Sequence, residues 1–521
     1  MRLKRFETIV LPLLLTLAFL VASYWTARYG GWSGEGDGTR LTLAADAMVR
    51  EGQLVTTRFN YANGYGYPAL LAFLSQVTGV SVQGLQIAGS GWLVVLVLIA
   101  FLAFRELLHS ARLAAAGVLL LLAQPDFLFY ILRNSHERTT WTFGLLVLWL
   151  WVRSGRMYGL PALAAGVCTV YLLLWAMIAN NAYLGSSIVT TFLIALALSM
   201  LLKRVAPVLA PKLSGSLVER RVKFFPLVGF ALVFLFISYA YQPAGGYYRT
   251  LNSMISRTTA LVAGVQPAAR PYRYVATAWI STPTYLALTL VQWSIVLASG
   301  AAWLRDAAVL LRQGKAALSR GRLLLWLFYL GYAAQLAFGF TADFAGWLAV
   351  NTQVRLFTPF ALVTSPMAAT WLAGGWAKRL RARPALRMVA LPLGCLAVAF
   401  SLIKMTNDPV LGNQWLFYSP SDQAGFDWAD AHLRDREIWV DTYEHQTDIA
   451  RYRKGYDWQP ANNYRYGASF DEIAFVMLSQ RIELRANRTG LQLPSVASRD
   501  SVYDNGDTQL YHRRPATPFQ K

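Results

Sequence analysis

Two carboxylates stand among glycines near the start of the chain, in the run Gly34-Glu35-Gly36-Asp37-Gly38. Glycine allows positive φ angles and lets a ligand approach the backbone closely. A carboxylate presented in this way could take a proton from an attacking hydroxyl, or bind a divalent cation through its oxygens. A solvated polar turn would have the same composition. Asp37 and Glu35 are therefore candidate catalytic residues, and the solvated turn is the alternative.

A second group of ionisable residues, Arg133-Asn134-Ser135-His136-Glu137-Arg138, joins two apolar segments. The planar guanidinium of arginine matches the geometry of phosphate oxygens. His136 could bind phosphate, orient a hydroxyl or ligate a metal. An ordinary external loop is the alternative, but the other external loops are poor in basic residues. We predict that Arg133, His136, Glu137 and Arg138 bind the substrate and its phosphate.

Arg355 is a third candidate, because it opens a later apolar segment in Val354-Arg355-Leu356-Phe357. We predict that it binds phosphate, although an arginine anchored at the membrane surface would look the same. The spacing of cysteines and histidines does not match a metal site, and Cys168 and Cys395 both fall in apolar segments.

Membrane helices must position these residues, because the chain is strongly apolar. Of its 521 residues, 55% are hydrophobic and 14% are charged, whereas soluble domains carry about 25% charged residues. Uncharged windows such as Pro12–Tyr24 and Leu93–Phe104 recur along the chain. We predict a polytopic α-helical membrane protein with about eleven transmembrane helices, from Glu7–Ala27 to Met388–Lys404. Leu113–Tyr130 is the third of these predicted spans, and Phe224–Tyr241 is the seventh.

The net charge of +21 would suit a nucleic-acid-binding protein, but its distribution indicates membrane topology instead. From Asn407 onward there are 13 Lys and Arg against 16 Asp and Glu, so the basic excess lies in the membrane part. There it is concentrated in alternate short loops, as the positive-inside rule requires. We predict a plasma-membrane (bacterial inner-membrane) protein with a cytoplasmic N-terminus, an extracytoplasmic C-terminus and no nucleic-acid partner.

The chain divides into two parts. Residues 1–405 are predicted to form a multi-span transmembrane domain with an external loop at residues 28–85, which contains an amphipathic helix at Leu41–Val49. Residues 406–521 are predicted to form an extracytoplasmic domain. Short apolar runs such as Ile438–Val440 and Ile473–Leu478 alternate there with polar stretches, which favours a small α/β fold.

In layout the sequence resembles the GT-C superfamily of glycosyltransferases, which are polytopic enzymes that use polyprenyl-phosphate-linked sugars. A basic N-terminus, one span and a long external loop with an acidic motif just past the membrane carry the resemblance. The matching residues are Glu35 and Asp37 with the helix from Thr39, the joint Arg133–Arg138, Arg355, and Val502–Asp507 with Leu510-Tyr511. Glu-Gly-Asp stands where the family usually has Asp-Glu or Asp-x-Asp.

The resemblance implies an inverting sugar transfer from a polyprenyl-phosphate sugar to a glycan, lipid or protein acceptor at the external face. Arginines would hold the phosphate as the glycosidic bond breaks. Asp37 would deprotonate the acceptor hydroxyl, and Glu35 or Glu137 would position the acceptor or share a divalent cation such as Mg or Mn. These groups should converge on one external cavity, with the Asp37 carboxylate within about 10 Å of His136 and Glu137.

Two other classes of protein stay open. A transporter or flippase for lipids or polysaccharides would have internal repeats and charged or broken helices near the membrane midplane, whereas the predicted spans are nearly free of charge there. A polymerase or ligase of surface polysaccharide would use the same lipid donor, but with its basic residues in a later external loop. Arg249, Arg257, Arg270 and Arg273 keep that alternative open.

Overall fold

The computed structural model describes residues 2–28, 36–53, 64–154, 160–205, 282–313, 318–344, 352–382, 384–407, 420–433, 438–440, 458–460, 473–480 and 495–514, with a few single positions between 252 and 263 and between 483 and 493. Within these residues the chain is almost entirely helical up to Asn407, and a small sheet follows.

The helical part begins with α1, which buries Leu14, Ala18, Val21 and Trp25. Their spacing places them on one face of the helix, and that face packs in the bundle core. The helices of the first half are α1 (Arg2–Arg28), α2 (Gly36–Glu51), α3 (Gly66–Thr78), α4 (Val82–Ala88), α5 (Trp92–Leu108), α6 (Ala111–Leu122), α7 (Pro125–Leu132), α8 (Glu137–Ser154), α9 (Leu160–Asn180) and α10 (Ala182–Val205).

The described part of the second half of the bundle also consists of long helices. They are α11 (Thr282–Gln313), α12 (Arg320–Phe344), α13 (Thr352–Ala382) and α14 (Pro384–Asn407). Small residues let several helices pack backbone to backbone. A side chain at Gly321, for example, would overlap the backbone of Leu107 at the end of α5.

Four helical segments of the described part are long and apolar enough to cross a membrane: Thr8–Arg28, Val82–Leu108, Thr289–Arg312 and Gly321–Ala342. A fifth crossing results if α6 and α7 form one span, bent by 77°. The protein is therefore an integral membrane protein, as predicted. The larger number of about eleven transmembrane helices stays a prediction, and one of those spans, Phe224–Tyr241, lies outside the described residues.

One end of the bundle is held together by a cluster of charges. Asp306, which is 1% exposed, accepts two hydrogen bonds from the guanidinium of Arg322, at 2.6 and 2.7 Å, and one from Arg305 at 3.1 Å. Arg305 also donates to the backbone oxygen of Thr370 on α13. These bonds tie α11, α12 and α13 together at one end of the bundle. The C-terminal end of α1 lies at the opposite end, because Thr26 bonds there to Ser90, before α5, whereas Gly321 packs on Leu107 at the end of α5.

A separate small core follows the bundle. Helix α15 (Pro420–His432) buries Phe426 and Ala429 with residues of a five-stranded sheet, in the strand order β2-β1-β3-β5-β4. Strand β1 runs parallel to β2 and β3, whereas β5 runs antiparallel to β3 and β4. The strands are β1 (Ile438–Val440), β2 (Trp458–Pro460), β3 (Phe475–Ser479), β4 (Arg499–Asp504) and β5 (Thr508–Arg513).

The structure corrects three local expectations. The amphipathic helix predicted at Leu41–Val49 begins earlier, at Gly36, so Asp37 belongs to the first turn of α2. An acid is favourable there, because helix N-termini carry partial positive charge. The third predicted span, Leu113–Tyr130, is broken between α6 and α7. The joint Arg133–Arg138 is buried within the protein and is not an exposed loop.

Candidate active site

The broken helix α7 leads directly into the predicted joint. All eight of its residues are buried. Pro125 is the first residue of α7, where a proline is well tolerated because the first backbone N–H groups of a helix have no partner within the helix. Gln124, at the break, donates hydrogen bonds to the hydroxyls of Thr364 and Ser365 on α13, at 3.2 and 2.6 Å. Side-chain hydrogen bonds to α13 therefore fix the orientation of α7, and with it the position of Arg133 at its end.

Arg133 and Glu137 form an ion pair in the joint, and both side chains are nearly inaccessible to solvent. Ser135 donates a further hydrogen bond to the same carboxylate. Burial alone would raise the pKa of Glu137, but the charges of Arg133 and His136 and the Ser135 hydroxyl outweigh it and lower the pKa to about 2. Glu137 is therefore ionised and is a weak proton acceptor, which suits holding an arginine better than acting as the base.

Arg138 closes the joint from the other side. Its Nη2 donates to the backbone oxygen of Arg133 at 2.8 Å and to Asn134 Oδ1 at 2.7 Å. The guanidinium lies directly over Gly89, where any side chain would overlap it. Glycine at this position therefore leaves the space that Arg138 occupies.

His136 is held in place by Asn181. The Asn181 Oδ1 caps α10 by accepting a hydrogen bond from the backbone nitrogen of Leu184 at 2.9 Å, which turns the amide nitrogen toward His136 Nε2. The same ring nitrogen lies 3.7 Å from Glu137 Oε2, so Asn181 holds the imidazole beside the carboxylate. Nδ1 lies 3.4 Å from the Ser135 hydroxyl.

The start of α2 packs against this joint. A Cβ at Gly38 would lie 2.9 Å from the backbone oxygen of Asn134. The Gly38 carbonyl accepts hydrogen bonds from Thr42 at 2.8 Å and from Gln86 at 3.5 Å, and Tyr67 bonds to Gln86 at 2.8 Å. The glycine that follows Asp37 is thus fixed beside the arginine-bearing joint.

The third predicted phosphate-binding residue, Arg355, lies in the first turn of α13. Arg355 is partly buried and lies within electrostatic range of Tyr130 on α7. The Arg133 guanidinium covers the ring of the same tyrosine, at 4.5 Å from its centroid. Arg133 and Arg355 therefore approach Tyr130 from two helices that are far apart in sequence.

The structure thus brings together Arg133, His136, Glu137, Arg138 and Arg355, together with the backbone at Gly38. Glu35 and the side chain of Asp37 lie outside the described part of the chain. In that part no three Asp, Glu, His or Cys side chains form a group that could hold a metal ion. The predicted Mg or Mn site would need the two carboxylates of the glycine-rich motif.

Sequence reasoning missed Asn181 and the tyrosines Tyr67 and Tyr130. Asn181 could have been suspected, because the pair Asn180-Asn181 interrupts an apolar stretch and buried amides need partners. The tyrosines carry no such signal, since tyrosines at membrane surfaces are common.

Searches by sequence find no matching family model and no matching curated protein. By structure, the chain shares the fold of ArnT over nearly its whole length, in agreement with the predicted resemblance.

One solved structure with this fold is ArnT from Cupriavidus metallidurans bound to undecaprenyl phosphate. The TM-score is 0.50 and the identity 13%, over 97% of this chain and 99% of that chain. The same protein in the apo state matches with a TM-score of 0.38 at 13% identity, over 97% and 98% of the two chains. At this identity the likeness shows the fold alone.

Proposed function

We propose that this protein is a membrane glycosyltransferase that moves a sugar from a polyprenyl-phosphate-linked donor to an acceptor at the external face of the membrane. The contact between Gly38 and Asn134 carries the proposal. It joins the acidic motif, which can activate a hydroxyl, to a buried joint with two arginines, which can hold a phosphate. The undecaprenyl phosphate in the ArnT structure supports a lipid phosphate as the ligand.

The proposed reaction is a single displacement with inversion. The acceptor oxygen attacks the anomeric carbon, and the bond from that carbon to the phosphate oxygen breaks, so that the lipid phosphate leaves as an anion. Arg133, Arg138 and Arg355 offset the charge that develops on this phosphate. Asp37 takes the acceptor proton, Glu35 positions the acceptor, and His136 orients a hydroxyl.

Glu137 holds Arg133 and does not act as the base. A divalent cation such as Mg or Mn, bound by Glu35 and Asp37, would supply further charge on the leaving phosphate. We place residues 1–405 in the plasma (bacterial inner) membrane with the N-terminus in the cytoplasm, and residues 406–521 outside it. The acceptor class, whether glycan, lipid or protein, is set by the groups that face the acidic motif.

The bend between α6 and α7 is the observation that favours a lipid or polysaccharide transporter, since broken helices mark transport sites. The residues that would favour a polysaccharide polymerase or ligase, Arg249, Arg257, Arg270 and Arg273, lie outside the described residues. A transporter moves its substrate without changing it. Release of undecaprenyl phosphate from a labelled donor therefore separates an enzyme from a transporter.

We expect Asp37→Asn to abolish sugar transfer while the protein still folds and inserts. Asparagine keeps the shape but cannot take a proton, and loss of a general base costs about 10²- to 10⁴-fold in rate. The matched control is Asp46→Asn on the same helix, whose carboxylate pairs with Arg50 at 2.7 Å at the surface. The assay is transfer from polyprenyl-phosphate sugars in membranes, with protein level measured in parallel.

If Asp37→Asn stays active while Glu35→Gln loses activity, the base is Glu35. If both variants transfer sugar at the wild-type rate, neither carboxylate is the base. If the wild type itself transfers no sugar, the enzyme interpretation is wrong and the transporter takes its place.

A further inference from the structure

Three helices meet at a buried polar contact below the joint. The side-chain amide of Gln292 on α11 donates to Asp126 on α7 and accepts from Lys404 Nζ on α14, at 3.1 Å. Asp126, Gln292 and Lys404 are 8%, 6% and 4% exposed. Ionisable groups inside a membrane bundle are expensive to bury and usually serve a function. The proposed sugar transfer has so far used none of these three residues.

The geometry of α7 connects this triad (Asp126, Gln292 and Lys404) to the site. Asp126, Tyr130 and Arg133 are spaced by four and three residues, so they lie on one face of the helix. Asp126, the first residue of that face, belongs to the triad. Arg133, the last residue of the face, carries the guanidinium that covers the Tyr130 ring. A shift or rotation of α7 at Asp126 would therefore displace Arg133.

We propose that Lys404, acting through Gln292 and Asp126, is a positioning residue that fixes α7 and thereby sets the place of Arg133 in the lipid-phosphate site. The inference rests on the proposed function. Gln124 fixes the start of α7 against α13, and the triad fixes it against α11 and α14. The bent helix then presents its arginine in one position, which a site for a transferred group requires.

A direct contact between Lys404 and the phosphate is the competing explanation, and charge separates the two. Asp126→Asn removes one negative charge near an anionic ligand. If Lys404 met the phosphate directly, undecaprenyl phosphate should bind Asp126→Asn at least as tightly as it binds the wild type. If the triad positions Arg133, binding should weaken, by about tenfold, although the region has become more positive.

The experiment measures binding of undecaprenyl phosphate to the purified full-length protein in lipid nanodiscs, with thermal stability followed in parallel. We expect Asp126→Asn and Lys404→Met to bind about tenfold more weakly. Lys404→Arg should bind almost normally, because arginine can still donate to Gln292. The double variant should be no worse than either single one, because the residues act as a unit.

The matched control is Asp500→Asn, the same change of charge on a half-exposed carboxylate of β4 that pairs with Arg514. It should bind like the wild type. Gln292→Met breaks the triad without changing its charge, and it gives the same test if Asp126→Asn cannot be purified.

Wild-type affinity in both Asp126→Asn and Gln292→Met, or tighter binding by Asp126→Asn, would overturn the inference and leave the proposed function standing. A reduced thermal stability with unchanged affinity would also overturn it, since the triad would then be structural only. A wild-type protein that does not bind undecaprenyl phosphate would overturn the proposed function, and this inference with it.

Discussion

At the scale of single residues, Gly89 shows how much of the site depends on space. Arg138 Nη1 occupies the position where a side chain at Gly89 would lie. The backbone of Gly89 is helical, with a φ of −62°, so alanine is tolerated there on conformational grounds. We expect Gly89→Ala to push the Arg138 guanidinium aside and to lower transfer by about 10²-fold, the cost of a displacement near 1 Å in a reacting site.

Gly91 provides the matched control for this prediction. It lies in the same short turn, Gly89–Gly91, and a Cβ there would meet nothing within 4 Å. Transfer rates and thermal stability of Gly89→Ala and Gly91→Ala should be measured side by side. Equal activity of the two variants would mean that the place of Arg138 does not matter for the reaction.

Glu137 gives a prediction about pH. Its pKa is lowered from 4.5 to about 2 in the folded protein. A lowered pKa in the folded state means that the carboxylate stabilises the fold above its unfolded pKa, and that this contribution is lost as the pH falls toward the folded value. The wild type should therefore be more stable than Glu137→Gln by a constant amount above about pH 5, and the difference should shrink between about pH 4.5 and pH 2.

Thermal unfolding of both proteins across this range of pH is the measurement. The loss at neutral pH should be large, about 3–5 kcal/mol, because Glu137→Gln leaves the Arg133 charge buried without its counter-ion. A difference in stability that does not change with pH would show that Glu137 is not ionised in the fold.

Ionisable residues were the part of the site that could be predicted from sequence. Arg133, Glu137 and Arg355 stand out in apolar surroundings, and such groups need a reason to be there. The space at Gly38 and Gly89 could not be predicted, because it is created by residues about 50 to 100 positions away. The ionised state of Glu137 could not be predicted either, since it depends on the distance to one guanidinium.

At the scale of elements, α3 is the helix with an unexplained surface. Its C-terminal half exposes Phe73 at 60% and Val77 at 67%, and Val80 just beyond it at 43%. No charged residue occurs between Arg58 and Arg105. After α3 ends at Thr78, the chain enters the membrane span Val82–Leu108, which begins with α4. An uncharged apolar surface joined to a span belongs at the boundary between lipid and water.

We therefore expect a nitroxide label at Phe73→Cys or Val77→Cys to be accessible to oxygen, which dissolves in lipid, and protected from a water-soluble nickel complex. A label at Arg50→Cys on α2, where the native side chain is 65% exposed, should show the opposite. The native Cys168 and Cys395 would be replaced by alanine. Nickel accessibility at Phe73 equal to that at Arg50 would place α3 in water.

The elements also show where sequence patterns fail. The apolar run from Leu113 to Tyr130 has the composition of one straight span, yet it bends by 77° between α6 and α7. Pro125 and Gln124 are the only local signals of the break. What stabilises it is the bonding of Gln124 to Thr364 and Ser365, and no periodicity in the sequence reveals contacts of that separation. The apolar character of the segment was correctly predicted because it does not depend on partners.

At the scale of the whole molecule, the two ends of the bundle differ in chemistry. The joint Arg133–Arg138 and the start of α2 lie together at the end of the bundle where α1 finishes. The opposite end carries Arg305 and Arg322 around Asp306. A lipid-linked donor and its acceptor meet at one membrane face only, so the orientation of the bundle decides which compartment receives the product.

The distribution of basic residues predicts that the joint faces outward. Arg312, in the last turn of α11, is one of the basic residues that the positive-inside rule assigns to the cytoplasmic side, whereas the tail from Asn407 has more acidic than basic residues. We expect a cysteine at Arg514, 60% exposed in the C-terminal part, to react with a membrane-impermeant maleimide in intact cells. A cysteine at Arg312 should react only after the membrane is permeabilised. Both substitutions belong in a background without Cys168 and Cys395, because those thiols are exposed on the bundle surface.

Labelling of Arg312→Cys in intact cells, with protection of Arg514→Cys, would mean that the protein has the opposite orientation and that sugar transfer takes place on the cytoplasmic side. Labelling of both would mean that the number of spans between them is even, so that the C-terminal domain alone keeps its predicted side.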